Sequence, residues 1–337
     1  MYFLALESSC DETAAAVFTE DRVVLSNVVA SQNELHTQFG GVVPEIAARA
    51  HLRNLLPVID EALRQANITI HQVNCIAVHH TPGLVGALLI TVTAAKMLSV
   101  VLDVPLIALN HIQSHIYACR MSAEKEIFPC VGLVVSGGHT AIFDCASPLQ
   151  MSLLGSTRDD AAGEAFDKVA AILEIGFPGG PKLEKIAKAG NPHAFSFPRA
   201  FLKENRIEFS FSGLKTAVLY EVKGQKNAAT TPPEMTTQRR ADVAASFQQA
   251  VVDVLVAKSR QALHLTGYPR LAVGGGVIAN QTLRTALKVM TSDENCELFI
   301  PPMSLCTDNA AMAALAVEKY HVGDFAPLDL DAKPNFL

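Results

Sequence analysis

Residues 2–19 read "YFLALESSCDETAAAVFT", and residues 130–146 read "CVGLVVSGGHTAIFDCA". Each is an apolar run, a bend of small, hydroxyl-bearing or charged residues, and a second apolar run: strand, tight turn, strand. The two units begin 128 residues apart. A strand-turn-strand unit met twice in one chain predicts duplicated halves whose bends face each other across a cleft.

Outward from the first hairpin, "PEIAARAHLRNLLPVIDEALRQAN" is helix-periodic, and "CIAVHH" and "LIALN" are short buried strands with the helix "GLVGALLITVTAAKMLSVVL" between them. After the second hairpin, "DDAAGEAFDKVAAILEIG" reads as a helix that Asp159 or Asp160 can cap and "FPGGP" stops. A long amphipathic helix follows in "ADVAASFQQAVVDVLVAKSRQALHLTG". Then "RLAVGGGVIANQTLRTAL" gives strand, glycine turn and helix, and "DNAAMAALAVEKY" gives a last helix. Strands alternating with helices imply an α/β protein with mixed or parallel sheets covered on both faces. The domain expectation is 1–110 for the first half, with a helix at about 310–330 packing back on it. The second half is then 111–309, carrying a basic insertion at about 191–237.

The totals agree with two domains. The chain has 337 residues, half of them hydrophobic, which exceeds the roughly 250–300 at which one core stops growing. Seven scattered cysteines without a CxxC pair fit a reducing, cytoplasmic setting. The N-terminus meets Glu7 before a secretory apolar stretch can form and is not an Arg-rich leader. Lys96 and Asp103 interrupt the most apolar stretch, which favours a buried helix over a membrane span. Net charge is −6, yet between Lys182 and Lys226 nine basic residues face four acidic ones, interleaved with five phenylalanines. Such a segment is either a nucleic-acid surface or a solvated insertion whose aromatic rings pack underneath.

Three turns of small residues each follow a buried strand: Ser8-Ser9, Ser136-Gly137-Gly138 and Gly274-Gly275-Gly276. Backbone N–H groups and hydroxyls in such bends form anion-binding concavities, so the three outline a nucleotide site. Their order matches neither a P-loop nor a strand-GxGxxG-helix. Elsewhere "NHIQSH" places His111 and His115 four residues apart, on one face of a helix. A chelating pair and two ordinary core histidines share that spacing.

Taken together, "LESSCDET", "GGVVPEIAARAH", "PGLVGALL", "NHIQSH", "VSGGHT", "DDAAGEAFDKVA", "PGGP", "FSFSGLKT", "GGGVIAN" and "CTDNAAM" resemble, in order and over essentially the whole chain, the TsaD family of bacterial tRNA threonylcarbamoyladenosine transferases. The resemblance implies two duplicated actin-like, sugar-kinase-like or chaperone-ATPase-like domains facing across a cleft. It implies transfer of a threonylcarbamoyl group from threonylcarbamoyl-AMP to N6 of the adenosine 3′ of the anticodon, in tRNAs reading codons that begin with A. By resemblance the metal ligands are His111, His115 and Asp308, and the metal is iron (Fe2+), with zinc or magnesium able to substitute in samples. Val134, Val135, Ser136, Gly137 and Gly138 would surround phosphate and acyl group. Asp167 and Gly180 would contact ribose, helped by Glu184, with Asn280 near the base. Glu12 and His139 would assist proton transfer, and Ser8 and Ser9 would bind phosphate. The implied partners are tRNA, a smaller TsaB-like paralogue that meets the apolar helices near "GGVVPEIAARAHLRNLL", and a TsaE-like ATPase. Alone, the chain is expected to be weak or inactive, with a homodimer as its isolated form.

One loop departs from the family. Where Thr-x-Gly-Pro-Gly-Leu belongs, the chain has His79-His80-Thr81-Pro82-Gly83-Leu84, which reads as a local variation at a strand end. Rival functions are also weighed on residues. A zincin peptidase needs a Glu after the first His of HxxxH, and Ile112 stands there. A kinase or ATPase would use the glycine turns without the metal triad, and a silent scaffold would use neither for chemistry.

Overall fold

Strands β1 (Tyr2–Glu7) and β2 (Glu12–Thr19) are buried almost throughout, because helices cover both faces of their sheet. Leu4, Leu6, Ala15 and Val17 join Leu55, Ile59, Val92 and Ala95 in one apolar cluster, while Phe3 turns the other way onto the edge of Tyr320. The computed structural model describes residues 1–224 and 233–335. The first of its two units comprises Met1–Glu126, Ser147–Met151 and the described residues from Pro301 on; the second comprises Ile127–Ala146 and Ser152–Ile300.

In the first unit, β3 (Val24–Ser31) completes an antiparallel meander with β2, and short α1 (Asn33–Thr37) leads to α2 (Pro44–Gln65). Strand β4 (Cys75–Thr81), helix α3 (Val85–Leu102), strand β5 (Leu106–Asn110) and helix α4 (His111–Met121) follow. The sheet order is β3-β2-β1-β4-β5, with β1, β4 and β5 mutually parallel.

In the second unit β6 (Cys130–Val135), β7 (Thr140–Ser147) and β8 (Gln150–Ser156) make the corresponding meander. Helices α5 (Ala162–Ile172), α6 (Gly179–Ala187), α7 (Ser212–Lys223) and α8 (Thr237–Thr266) precede β9 (Arg270–Gly274), α9 (Gln281–Asp293) and β10 (Glu297–Phe299). The order β8-β7-β6-β9-β10 repeats the first sheet position for position, with β6 antiparallel to β7 and parallel to β9. This is the duplication read from the hairpins. The C-terminal α10 (Met303–Cys306) and α11 (Leu315–His321) return to the first unit.

Met1–Glu126 and the described residues from Pro301 on group together, beside the expected 1–110 and 310–330. Strand β5 runs straight into α4, whose Ile112 and Gln113 N–H groups are capped by the Asn110 side chain at 2.9 and 3.2 Å. Three expectations need adjustment. Helix α3 is buried on one face only. Ala87, Leu88, Thr91, Val92, Ala95 and Ser99 face inward, while Val85, Leu89, Met97, Val100 and Val101 are exposed. Among the described residues it is the one helix long and apolar enough to cross a membrane, but Lys96 on it donates to the Leu330 carbonyl at 2.9 Å. Asp159 caps α7 instead of α5, accepting from the N–H groups of Phe211 and Ser212 at 2.8 and 3.2 Å. In the basic segment, Phe197, Phe209 and Phe211 are buried, and Arg199, Arg206 and Lys215 pair with Asp253, Glu204 and Asp160. The aromatic rings there pack underneath. Lys185, Lys188, Lys203 and Lys223 remain exposed, and Lys226 lies outside the described residues.

Candidate functional site

Helix α4 sets the first unit's chemistry. Because α4 begins at His111, both histidines fall in its first turns, on one face, with ring centroids 4.6 Å apart. Asp308, in the turn after α10, places Oδ1 3.1 Å from His115 Nε2 and 3.5 Å from His111 Nε2. One donor atom from each of the three lies within 4.8 Å of the others. Two imidazoles and a carboxylate suit a divalent transition metal and leave positions open. The donor set therefore fits the metal that the sequence implies.

The surroundings prepare these ligands. Glu7, at the end of β1, is fully buried, and its Oε2 stands 3.0 Å from His111 Nδ1 and 2.7 Å from His79 Nδ1. Its Oε1 accepts the Ser9 backbone N–H. Burial alone would raise the Glu7 carboxyl, but His111 and His79 outweigh it and hold it well below the usual carboxylate range. Burial opposes charge on His111 too, yet Glu7 and Asp308 push that ring up to about 9. Burial pulls His115 down, toward the neutral imidazole a metal requires. Its Nδ1 is buried without a hydrogen-bond partner among the described residues. Glu12, opening β2, is pushed well above the usual carboxylate range by burial and by the neighbouring Asp11 and Asp308.

The second unit builds a different turn. Val134 and Val135 end β6, and Ser136–His139 closes the hairpin, with the His139 N–H donating to Ser136 Oγ at 3.1 Å. A side chain on Gly137 or Gly138 would meet nothing within 4 Å, so the side-chain face of the bend is open. The start of α5 abuts this bend: Gly163 N–H donates to the Ser136 carbonyl at 3.2 Å, and Glu164 N–H to that of Gly137 at 3.1 Å. A Cβ on Gly163 would lie 2.5 Å from that Ser136 oxygen. Gly275, at φ +92°, approaches Val135 so closely that a Cβ would sit 2.4 Å from its carbonyl oxygen. Asp167 on α5 accepts the Gly179 N–H at 2.7 Å, and Glu184 on α6 accepts the Gln281 N–H at 2.8 Å. These contacts join the hairpin bend, the glycine turn and the starts of α5, α6 and α9 into one ring.

Residues 23–315 match the family model TsaD, tRNA N6-adenosine threonylcarbamoyltransferase. The chain belongs to this family. A relative of that name from Rhodopirellula baltica is 50% identical, covering 98% of this chain and 96% of the relative. Another, from Syntrophobacter fumaroxidans, is 49% identical over 100% of both. Among solved structures, full-length HypF in a phosphate- and nucleotide-bound form superposes with a TM-score of 0.62 at 14% identity, covering 98% of this chain and 56% of HypF. That likeness concerns the fold alone. As a member of the TsaD family the chain is a transferase that modifies tRNA with a threonylcarbamoyl group.

Of the residues the TsaD resemblance singled out, His111, His115 and Asp308 come together in the first unit, beside Glu12 and Ser9. Val134–Gly138, His139, Asp167, Gly180, Glu184 and Asn280 belong to the second. Three of them make polar contacts inside their own units. Ser8 is buried with its hydroxyl 2.9 Å from the Ala87 carbonyl and 2.7 Å from Thr91 Oγ1, and Ser9 Oγ lies 3.1 Å from His111 Nδ1. Both hydroxyls are engaged in the first unit's interior. Asn280 caps α9, accepting from Leu283 N–H at 3.0 Å and donating to Gln248 at 2.7 Å. Sequence reasoning missed Glu7, His79, Ser114 and Gly163. The available signals were a charge ending an apolar strand, the loop's departure from the family, and a glycine at a helix start.

Proposed function

We propose that this chain transfers threonylcarbamoyl from threonylcarbamoyl-AMP to N6 of the adenosine 3′ of the anticodon in tRNAs reading codons that begin with A, releasing AMP. The observation that carries it is the cluster of buried His111 and His115 with half-buried Asp308 in a chain of this family. These three would hold one divalent ion, Fe2+ by resemblance, which when bound supplies a Lewis acid for the carbamoyl carbonyl. The adenine amine attacks the carbonyl carbon, the bond from that carbon to the AMP phosphate oxygen breaks, and the amine gives up a proton. Glu12, raised toward neutrality, is suited to exchange that proton, with His139 as a second candidate. The open Gly137–Gly138 backbone suits the adenylate phosphate, and Asp167 suits ribose hydroxyls. The mixed anhydride is already activated, so the protein's work is positioning and charge stabilisation.

The exposed apolar residues Leu52 and Leu56 of α2 and Leu89, Met97 and Val101 of α3 are the face proposed for a TsaB-like paralogue. A TsaE-like ATPase completes the working assembly, and the cytoplasm is its setting. The test supplies threonylcarbamoyl-AMP, these partners and an A-codon tRNA, then digests the tRNA and measures nucleoside mass. Threonylcarbamoyladenosine at that position is expected; its absence beside an active family member defeats the proposal.

A further inference from the structure

We infer that His79 and Glu7 are positioning residues of the metal centre, joined to the ligand helix in a closed ring that fixes which nitrogen of His111 meets the metal. The inference rests on the metal centre proposed above but not on the reaction. Glu7 Oε2 stands 3.0 Å from His111 Nδ1, and a carboxylate there keeps the proton on Nδ1 and leaves Nε2 as the ligand atom. It is Nε2 that approaches Asp308. Glu7 itself is met from three sides: by the Ser9 N–H on Oε1, by His111 Nδ1, and by His79 Nδ1 at 2.7 Å, a charge contact without hydrogen-bond alignment. The far nitrogen of His79, Nε2, lies 2.8 Å from Ser114 Oγ. Ser114 sits on α4 between the two ligands, so the path Glu7–His111–α4–Ser114–His79–Glu7 closes on itself. All four side chains are buried, and neither Glu7 nor the His111 ring can turn without breaking a contact inside the core.

The same contacts show why His79 is not a further ligand: one ring nitrogen faces Glu7 and the other Ser114. The loop is held from behind as well. His80 accepts the Lys333 N–H on its carbonyl at 2.8 Å, and Thr81 Oγ1 donates to the Asn335 carbonyl at 3.0 Å. The His79-His80-Thr81 departure is thus one structural piece, with His79 turned inward to the centre and the next two residues tied to the C-terminal segment.

The test is metal binding, read apart from transfer. Supporting groups of this kind carry about ten- to a hundredfold in metal affinity. His79→Ala is therefore expected to weaken Zn2+ binding about tenfold in competition dialysis and to shift the visible absorption bands of the Co2+-loaded protein. His79→Asn, which keeps a donor toward Glu7, should restore most of both, a rescue that a simple cavity effect would not produce. In the wild-type Zn2+ form, nitrogen NMR should show the His111 proton on Nδ1 and the metal on Nε2, a result independent of any variant's folding. Metal on His111 Nδ1, or a His79→Ala protein with unchanged melting, affinity and Co2+ spectrum, would overturn the inference while leaving the metal centre standing. A wild-type chain that binds no metal would overturn both.

Discussion

The two hairpin bends occupy the same place in sheets of the same strand order, yet they are finished in opposite ways. The bend after β1 is filled: Glu7, Ser8, Ser9 and Asp11 are buried, and its polar groups are spent on one another and on α3 and α4. The bend after β6 is empty of side chains at Gly137 and Gly138, where a Cβ would meet only open space. A duplicated scaffold has thus been divided by side-chain volume and charge. One copy condenses carboxylates and imidazoles into a donor set that suits a cation, and the other leaves out side chains at its tip, as the proposed anion site requires.

The sharpest way to break this division is to remove a cation ligand. His115→Ala should cost more than about a hundredfold in metal affinity, beyond what supporting groups contribute, and should abolish tRNA modification in the mass assay while leaving AMP binding by calorimetry intact. Full modification by this variant would move the chemistry away from the filled bend. Next in size, Gly163→Ala drives a methyl to within 2.5 Å of the Ser136 oxygen. A loss of about 1–3 kcal/mol is typical of such overpacking and should appear in thermal unfolding, with AMP binding weakened and zinc binding unchanged.

Acidity separates the bends further. Against its burial, Glu7 and Asp308 push His111 up to about 9 in the metal-free protein, so below that pH a metal must displace its proton. Zinc affinity should therefore climb about tenfold per pH unit between 7 and 9 and flatten above, as followed by competition titration. The linked stability runs the other way. The folded value lies above the ordinary value of 6.5, so the metal-free protein holds this contribution in full below about pH 6.5 and loses it as pH rises through about 9. A flat zinc profile would show that His111 gives up no proton on binding. The smallest effect belongs to Gly137→Ala, whose new methyl meets nothing. Stability should stay within about 0.5 kcal/mol, while AMP binding falls several-fold if the open backbone is what the phosphate uses.

What the sequence disclosed follows from where the information sits. The hairpins were legible because apolar runs change abruptly to small and charged residues at each bend. The third strands, β3 and β8, were missed because both are largely exposed or half-buried along their length and carry no sustained apolar run. Strand β10 has only three residues, too few for any periodicity. The His111–His115 spacing was visible locally, but Asp308 was available only through resemblance. Glu7 and His79 were hidden because no spacing rule links residues 7, 79 and 111; parallel pairing of β1 with β4 and of β4 with β5 brings them together. The cap that Asn280 makes on α9 follows from its place directly before a helix.

His115 and Asp308 are 193 positions apart in the sequence. A ribosome adding about 5–20 residues per second exposes the two imidazoles about ten to forty seconds before it delivers their carboxylate. During that interval the nascent chain is a bare bis-imidazole, which favours copper or zinc over iron. The metal finally held would then depend on whether the centre stays unfilled, or exchanges its metal, until translation ends.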